Sequence, residues 1–425
     1  MQIIRNPDRK DWTVLLQRPY YDNAAVLKSV NNIIDLVKKN GDQALHHLSK
    51  EFDGVSTNNF LVSEQELEAA GRGLTVELKN AIQQSKNNIE AFHSTQLDKK
   101  SIVETMPGVQ CWRKAVGIEK VGLYIPGGTA PLFSTVLMLA VPAHLAGCKE
   151  IILCTPCNKE GKINEAILFA AKECGINKIY KIGGAQAIAA MAFGTESIAA
   201  VYKIFGPGNQ YVTAAKQLVQ MEGIAIDMPA GPSEVCILAD ESANASFVAA
   251  DLLSQAEHGA DSQVVLVSTS EELIEETIKE IEKQLKSLPR KEIAEKALSN
   301  SKAIVVTNIM DGIDLVNSYA AEHLIICCQL ADSVAEQIIN AGSVFIGNYS
   351  PESVGDYASG TNHTLPTNAF ARAYSGVSVD SFIRKITFQR LTKEGLENIG
   401  DTVIEMAEAE GLTAHANAVR VRRPT

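Results

Sequence analysis

“VGLYIPGG” (121–128) is the first of four short apolar runs that decide the fold, and it is followed by “EIILCTP” (150–156), “KIYKIGG” (178–184) and “AVYKIFGPGN” (200–209). Each run has the length of a strand and leads into a turn that contains Gly or Pro. Helical segments of about a dozen residues separate the runs. This alternation of strands and helices is typical of a parallel sheet.

A second series of apolar runs follows the first: “EVCILAD” (234–240), “SQVVLVS” (262–268), “SKAIVVT” (301–307), “HLIICC” (323–328) and “GSVFIG” (342–347). Helical segments again lie between the runs. Before both series, residues 26–100 carry apolar residues at helical spacing and predict three helices. The sequence therefore predicts an α/β protein with two α/β units in tandem.

The composition excludes several classes of function. An apolar fraction of 46% with 21% charged residues indicates a globular protein, and the net charge of −11 opposes binding to nucleic acid or to an anionic membrane. The eight cysteines have no framework spacing, and the first residues contain no apolar signal segment. We therefore expect a cytoplasmic protein with reduced thiols.

Gln255 and His258 lie three residues apart in a segment with helical periodicity. Residues at this spacing share one face of a helix, so an amide oxygen and an imidazole nitrogen can point to one place. Taken alone, the pair is more simply a solvated helix end. Whether the pair forms part of a binding site depends on other donors elsewhere in the chain.

Two later segments offer such donors. The loop predicted over 347–377 contains Asp356 and His363, and the C-terminal segment contains Glu410 and His415 on either side of Gly411. Asp356 could equally be a turn residue, and a histidine near the end of a chain is often only solvated.

Gln255, His258, Asp356 and His415 together would supply two oxygens and two nitrogens with one formal negative charge. This mixed set suits a borderline divalent cation, zinc first, and it can leave room for substrate donors. The absence of cysteine from the set argues against a closed structural site.

Glu322 and His323 begin an apolar strand, where adjacent side chains point to opposite sides. One could act as a base on a substrate while the other activates water. The alternative is a charged residue and a hydrogen-bonded imidazole at a strand entry.

Glycine turns at 127–128, 183–184 and 206–209 each follow a predicted strand and precede a helix. Backbone amides at such positions favour a phosphate or another anion. The turns could also be purely structural, because the G-x-G-x-x-G fingerprint of dinucleotide-binding proteins is absent. A nucleotide is therefore one possibility among others.

Eight stretches that span nearly the whole chain resemble the L-histidinol dehydrogenase family. They are “GLYIPGGTAPLFSTVLMLAVPA”, “IGGAQAIAAMAFGT”, “KIFGPGNQYVTAAK”, “IDMPAGPSEV”, “DLLSQAEHG”, “YAAEHL”, “VGDYASGTNHTLPT” and “GLTAHANAVRVR”. The resemblance implies zinc-dependent oxidation of L-histidinol to L-histidine through an aldehyde, in two NAD-linked steps that end histidine biosynthesis.

The resemblance also implies roles for individual residues. It makes Gln255, His258 and Asp356 zinc ligands, with His415 supplied by the other subunit of a domain-swapped homodimer. His323 would be the base of the oxidation steps, and Glu322 would activate water. The remaining matches are substrate contacts at Ser233, Gln255, His258, His323, Asp356, His363, Glu410 and His415, and NAD contacts at Tyr124, Gln186 and Asn209.

The fold implied by the resemblance has two tandem incomplete Rossmann-like domains with parallel sheets and small terminal domains. Residues 25–126 and 233–377 would form a large domain with the zinc and substrate site, and 127–232 an NAD-binding domain. Residues 1–24 would form a small N-terminal segment, and 378–425 a C-terminal helical segment and tail that reaches the partner subunit.

Two other functions compete with this interpretation. Glu322 beside a zinc ion could drive water attack in a metal-dependent hydrolase of a small polar substrate. The paired α/β units would also suit a two-domain binding protein for a polar ligand, although a protein without a signal segment is an unusual member of that class.

Overall fold

A computed structural model describes residues 1–18, 24–57, 59–97, 100–127, 131–229 and 231–423 of the chain. Its strands are β1 (Gln2–Arg5), β2 (Ile102–Met106), β3 (Val109–Gly117), β4 (Lys120–Tyr124), β5 (Glu150–Thr155), β6 (Lys178–Lys181), β7 (Lys203–Phe205), β8 (Ala225–Ile226), β9 (Glu234–Ala239), β10 (Gln263–Ser268), β11 (Lys302–Val305), β12 (His323–Cys327), β13 (Ser343–Ile346) and β14 (Ile383–Leu391).

Sixteen α-helices are found in these described ranges. They are α1 (Trp12–Leu15), α2 (Ala24–Leu48), α3 (Glu64–Ala69), α4 (Val76–Ser94), α5 (Phe133–Leu145), α6 (Glu165–Glu173), α7 (Gly184–Phe193), α8 (Gln210–Met221), α9 (Ala245–Ala256), α10 (Glu271–Gln284), α11 (Lys291–Ser299), α12 (Ile309–Tyr319), α13 (Ala331–Ala335), α14 (Glu352–Tyr357), α15 (Lys393–Ala409) and α16 (Thr413–Arg420). No described helix is both long and apolar enough to cross a membrane.

The first sheet has six parallel strands in the order β1-β11-β10-β9-β12-β13. Its central strand β9 is buried along its whole length, and successive side chains enter different cores. Val235 and Ile237 pack with residues of α9 and α10, whereas Cys236 and Leu238 pack with residues of α12. Burial on both faces explains why the strand reads as a continuous apolar run.

The second sheet has five parallel strands in the order β6-β5-β4-β7-β8. The chain runs from β4 outward to β6 and then returns to the other side of β4, so the order reverses between β4 and β7. Ligands of open parallel sheets commonly bind beyond the carboxyl ends of the strands at such a reversal. The two parallel sheets confirm the predicted α/β class.

The N-terminal helices pack against the five-stranded sheet. Helix α2 lies on α7 and α8, and α4 lies on α5. Three helices are thus confirmed over 26–100, but their contacts group them with residues 127–232, whereas the sequence-based division placed 25–126 with 233–377. The division of the chain into domains stays a prediction.

A third sheet is antiparallel and was not predicted. Its order is β14-β3-β2, and β14 pairs with β3 over nine residues from Ile383 to Leu391. The sequence had suggested a helical segment and tail over 378–425. This part of the chain also contains β14, so that prediction was incomplete. The Pro-Gly pair at 107–108, between two runs of strand-forming residues, was the sequence signal for the β2–β3 hairpin.

Candidate active site

A cleft of about 1200 Å³ lies between the two parallel sheets. The six-stranded sheet contributes the amino ends of β9, β10 and β12, and the five-stranded sheet contributes the turn at 206–210, which follows the carboxyl end of β7. The predicted site residues on its lining are Ser233, His258, Glu322, His363 and Asn209. The candidate site thus lies where the strand-order reversal of one sheet faces the amino ends of strands in the other sheet.

Glu322 and His323 are both held by the backbone of Glu234. The Glu234 N–H donates to Glu322 Oε2 at 2.9 Å, and the Glu234 carbonyl accepts from His323 Nδ1 at 3.3 Å. His323 Nε2 lies 3.2 Å from Asp356 Oδ1. His323 Nδ1 is 3.7 Å from Glu322 Oε2, beyond hydrogen-bond distance, which agrees with the prediction that the two side chains need not bond to each other.

Burial and charge shift the pKa values of this pair. Burial would lower the pKa of His323, but the carboxylates of Glu322 and Asp356 raise it to about 10. Burial raises the pKa of Glu322 to about 8, and the nearby His323 offsets only part of this effect. Neutralisation of the Asp356 charge would remove one of the contacts that keep the proton on His323.

Gln255 lies in the last turn of α9, but His258 lies beyond the helix end at Ala256. The backbone N–H of His258 donates to the Gln255 carbonyl at 3.2 Å, so the chain continues as a tight turn. The prediction that both residues share one helix was therefore wrong in detail. The turn still carries His258 to the cleft, where desolvation by the surrounding protein lowers its pKa although the residue is exposed.

Asp356 lies on the short helix α14, although the sequence had predicted a loop over 347–377. Burial would raise its pKa, but the hydrogen bond and charge of His323, together with His363 and His258, bring it below the usual value. Burial lowers the pKa of His363. The structure thus places four side chains close enough for their charges to influence one another's pKa values: Asp356, His258, His323 and His363.

Glu410 and His415 are not at the cleft of their own chain. Glu410 follows α15, and His415 lies in the first turn of α16, which is a helix where the sequence had suggested a simple tail. Both side chains are exposed, and neither is part of the cleft lining. Their predicted roles at a shared site therefore stay predictions.

Within the described ranges, no group of three or more His, Cys, Asp or Glu side chains of a single chain could hold a metal ion. The residues nevertheless fit a divalent cation by charge. The carboxylates of Glu322, Glu352 and Asp356 all raise the pKa of His323, and Glu352 Oε2 is buried without a hydrogen-bond partner in the described structure. Gln255, His258 and Asp356 supply the mixed oxygen and nitrogen donors that suit zinc, as an incomplete set.

The three predicted NAD contacts lie near the strand-order reversal of the five-stranded sheet. Tyr124 ends β4, and its hydroxyl accepts a hydrogen bond from the Gly184 N–H at 3.0 Å. Gln186 is buried in the first turn of α7. Asn209 lines the cleft and also has a structural role, because its side chain caps α8.

Gly206 brings the ends of β4 and β7 together at this point. Its φ is +126°, and a Cβ atom there would lie 2.0 Å from the Tyr124 carbonyl oxygen. Asp227 accepts from the Gly206 N–H at 2.8 Å, and Lys216 donates to the Gly206 carbonyl at 2.9 Å. Lys216 and Asp227 also form a buried ion pair, which fixes the turn that lines the cleft.

Gly128 belongs to the first predicted glycine turn and lies outside the described residues.

Sequence analysis missed Glu234, a residue that is 1% exposed. Arg18 donates to its two carboxylate oxygens at 2.9 and 2.8 Å and lies over the Tyr319 ring at 3.8 Å from the centroid. A charged residue at the start of the buried run 234–240 was the available signal. Arg18 offered no such signal in the sequence, because its partner Glu234 lies 216 residues away.

We expect Arg18→Met to lower the free energy of unfolding by about 3–5 kcal/mol, because it leaves the buried Glu234 carboxylate without its cationic partner and with only the Asn368 N–H as donor. Urea denaturation followed by circular dichroism would measure this change. Arg9→Met is the matched control, since Arg9 also forms ion pairs and lies over an aromatic ring, but its ion pairs with Asp311 and Asp314 are at the surface. Equal denaturation midpoints for the two variants would contradict the stabilising role of the Arg18–Glu234 pair.

The chain is similar to known proteins over nearly its whole length. The family model described as histidinol dehydrogenase matches residues 16–423. A histidinol dehydrogenase of Bacteroides fragilis is 60% identical, with 99% of each chain covered. One of Haemophilus influenzae is 52% identical over 96% of this chain and 95% of its own. The crystal structure of histidinol dehydrogenase from Elizabethkingia anophelis is 55% identical and superimposes with a TM-score of 0.97, covering 99% of this chain and 98% of that one.

Proposed function

The chain belongs to the histidinol dehydrogenase family, and from this premise we propose that it oxidises L-histidinol to L-histidine through L-histidinaldehyde with two molecules of NAD. This would be the last step of histidine biosynthesis. The observation that carries the proposal is the convergence of Glu322, His258 and the 206–210 turn on one cleft between the two parallel sheets, with His323 Nδ1 3.7 Å from Glu322 Oε2.

For the metal, we propose Gln255, His258 and Asp356 as ligands from one subunit and His415 from the other subunit of a homodimer. The donor types and the excess of buried carboxylates support this choice. A bound zinc ion would supply a fixed positive charge that orients the amine and imidazole of the substrate. The exposure of His415 in its own chain is compatible with a role in a partner's site.

The protein side chains divide the proton transfers between them. With the Asp356 charge neutralised, His323 would more readily release the proton that this carboxylate helps to hold, and its Nε2 would then accept the hydroxyl proton as hydride leaves the alcohol carbon for NAD. The Nδ1–H bond to the Glu234 carbonyl would hold the ring in place. In the second step, Glu322 would take a proton from the water that adds to the aldehyde. After releasing its first proton to solvent, His323 would accept the hydroxyl proton of the hydrate during the second hydride transfer, which leaves the carboxylate of histidine.

The remaining contacts complete the proposed site. Ser233 and His363, which line the cleft, would contact the substrate together with Glu410 of the C-terminal segment. Tyr124, Gln186 and Asn209 would contact NAD near the reversal of strand order. All eight cysteines are unpaired, which supports the proposed cytoplasmic location.

Incubation with L-histidinol and NAD tests this function directly. We expect two NADH molecules for each histidine formed, measured by absorbance and by amino-acid analysis of the same sample. A single NADH with accumulation of aldehyde would contradict the second step. A hydrolase or a binding protein would produce no NADH.

A further inference from the structure

The main chain of Glu234 supports both residues to which the proton transfers were assigned. Its N–H donates to Glu322 Oε2 at 2.9 Å, and its carbonyl accepts from His323 Nδ1 at 3.3 Å. Glu234 is the first residue of β9, and its neighbour Val235 pairs with His323 in β12. A displacement of the start of β9 would therefore move the support of both side chains.

The side chain of Glu234 is held from two distant parts of the chain. Arg18 donates to Oε1 and Oε2 at 2.9 and 2.8 Å, and the Asn368 N–H donates to Oε1 at 2.7 Å. The ion pair is nearly enclosed, with 12% of the Arg18 side chain and 2% of the Glu234 side chain exposed. A bidentate pair of this kind restricts direction as well as distance. The carboxylate thus fixes the start of β9 against the N-terminal segment.

Arg18 also holds the segment that leads into Glu322. Its guanidinium donates to the Tyr319 carbonyl at 2.7 Å, and its Cζ lies 3.8 Å from the centroid of the Tyr319 ring. Tyr319 ends α12, and the next residue, Ala320, has φ +54° and ψ +61°. This left-handed conformation is unfavourable for a residue with a Cβ atom and persists where the surrounding structure holds it. One guanidinium therefore fixes both the start of β9 and the turn from which Glu322 emerges.

Stability alone does not require this arrangement, because a buried ion pair can often be replaced by apolar residues with little loss of stability. The pair also lies in the wall of the cleft, where Arg18 and Glu234 both contribute to the lining. We propose that Arg18 and Glu234 are positioning residues that hold Glu322 and His323 in the arrangement that both oxidation steps need. The inference rests on the proposed function.

Kinetics of the full-length protein separate positioning from stability, at a temperature where circular dichroism shows each variant to be folded. We expect Arg18→Ala to lower kcat by about 100-fold, the scale of a misplacement of about 1 Å, with KM for histidinol near the wild-type value. Single-turnover rates with histidinol and with histidinaldehyde should fall by similar factors, because Glu234 supports both side chains. Arg9→Ala is the matched control and should keep the wild-type kcat, since Arg9 pairs with Asp311 and Asp314 of the same helix α12 but at the surface.

Guanidinium chloride at millimolar concentration provides a second readout. Arg18→Ala leaves a space at the cleft between the Glu234 carboxylate and the Tyr319 carbonyl, and a free guanidinium ion can fill it. We expect guanidinium to restore part of the kcat of the folded variant. Urea is planar and of similar size but uncharged, so it should not. Equal recovery with both compounds, or recovery with neither, would overturn the proposal.

The outcomes distinguish this inference from the proposed function. A wild-type protein that forms no NADH from histidinol would overturn both. An active wild type with unchanged kcat in folded Arg18→Ala, or a loss confined to one oxidation step, would overturn only the positioning role. Should Arg18→Ala fail to fold, Arg18→Lys and Glu234→Gln each keep part of the pair and should slow both steps by a smaller factor. Wild-type rates in these two variants would count against the proposal.

Discussion

Mixing two inactive variants, His258→Asn and His415→Asn, is expected to restore about a quarter of the wild-type activity if each site takes His415 from the partner subunit. Either variant alone should lose more than the ~100-fold of activity that is typically lost when a group around a metal ligand is changed, because here the ligand itself is removed. Random exchange places half of the subunits in mixed dimers. Each mixed dimer then has one site with both histidines intact.

The control for this experiment is a mixture of His258→Asn with Asp356→Asn. Both residues belong to the same subunit's part of the site, so no exchange of subunits can rebuild an intact set. Subunit exchange is verified by mass spectrometry of differently tagged chains, and activity is read as NADH formation. Recovery in the control mixture, or no recovery in the first mixture after verified exchange, would refute the shared site.

Replacement of His323 by alanine is expected to slow oxidation of the alcohol by about 10²–10⁴-fold, the usual contribution of a general base. Glu322→Gln should act differently, because glutamine still accepts the Glu234 N–H that Glu322 Oε2 accepts at 2.9 Å. The local geometry is therefore retained and only the base is lost. We expect this variant to oxidise histidinol to the aldehyde and to be impaired mainly in the second step.

Single-turnover experiments with histidinol and with histidinaldehyde as separate substrates measure the two steps. His144→Ala is a suitable control for His323→Ala, since His144 is exposed at the end of α5, away from the cleft lining. Equal damage to both steps from Glu322→Gln would undo the division of roles between the two residues.

Local patterns predicted much of the architecture. The apolar runs at 121–128 and 234–240 became buried parallel strands, and the helical periodicity over 26–100 became α2, α3 and α4. The antiparallel sheet escaped prediction because β14 and β3 are far apart in sequence. β14 is mostly exposed and β3 mostly half-buried, so neither strand has a clear apolar alternation.

The candidate site was predicted in its residue types rather than in its geometry. Glu322 and His323 were placed correctly at the start of a strand, but nothing local indicated that the backbone of Glu234 holds both. Asp356 was expected in a loop and lies on the short helix α14.

By itself, the sequence determined the α/β class, the chemical types of the donors and the family to which the chain belongs, because these depend on residue identity and on spacing within a few residues. The tertiary structure decided that the amino ends of β9 and β12 face the glycine turn that follows β7, and that Arg18 reaches Glu234 across 216 residues. Such juxtapositions arise from the packing of whole sheets and helices. Packing at that scale follows from the free energy of the complete core, which short-range patterns do not encode.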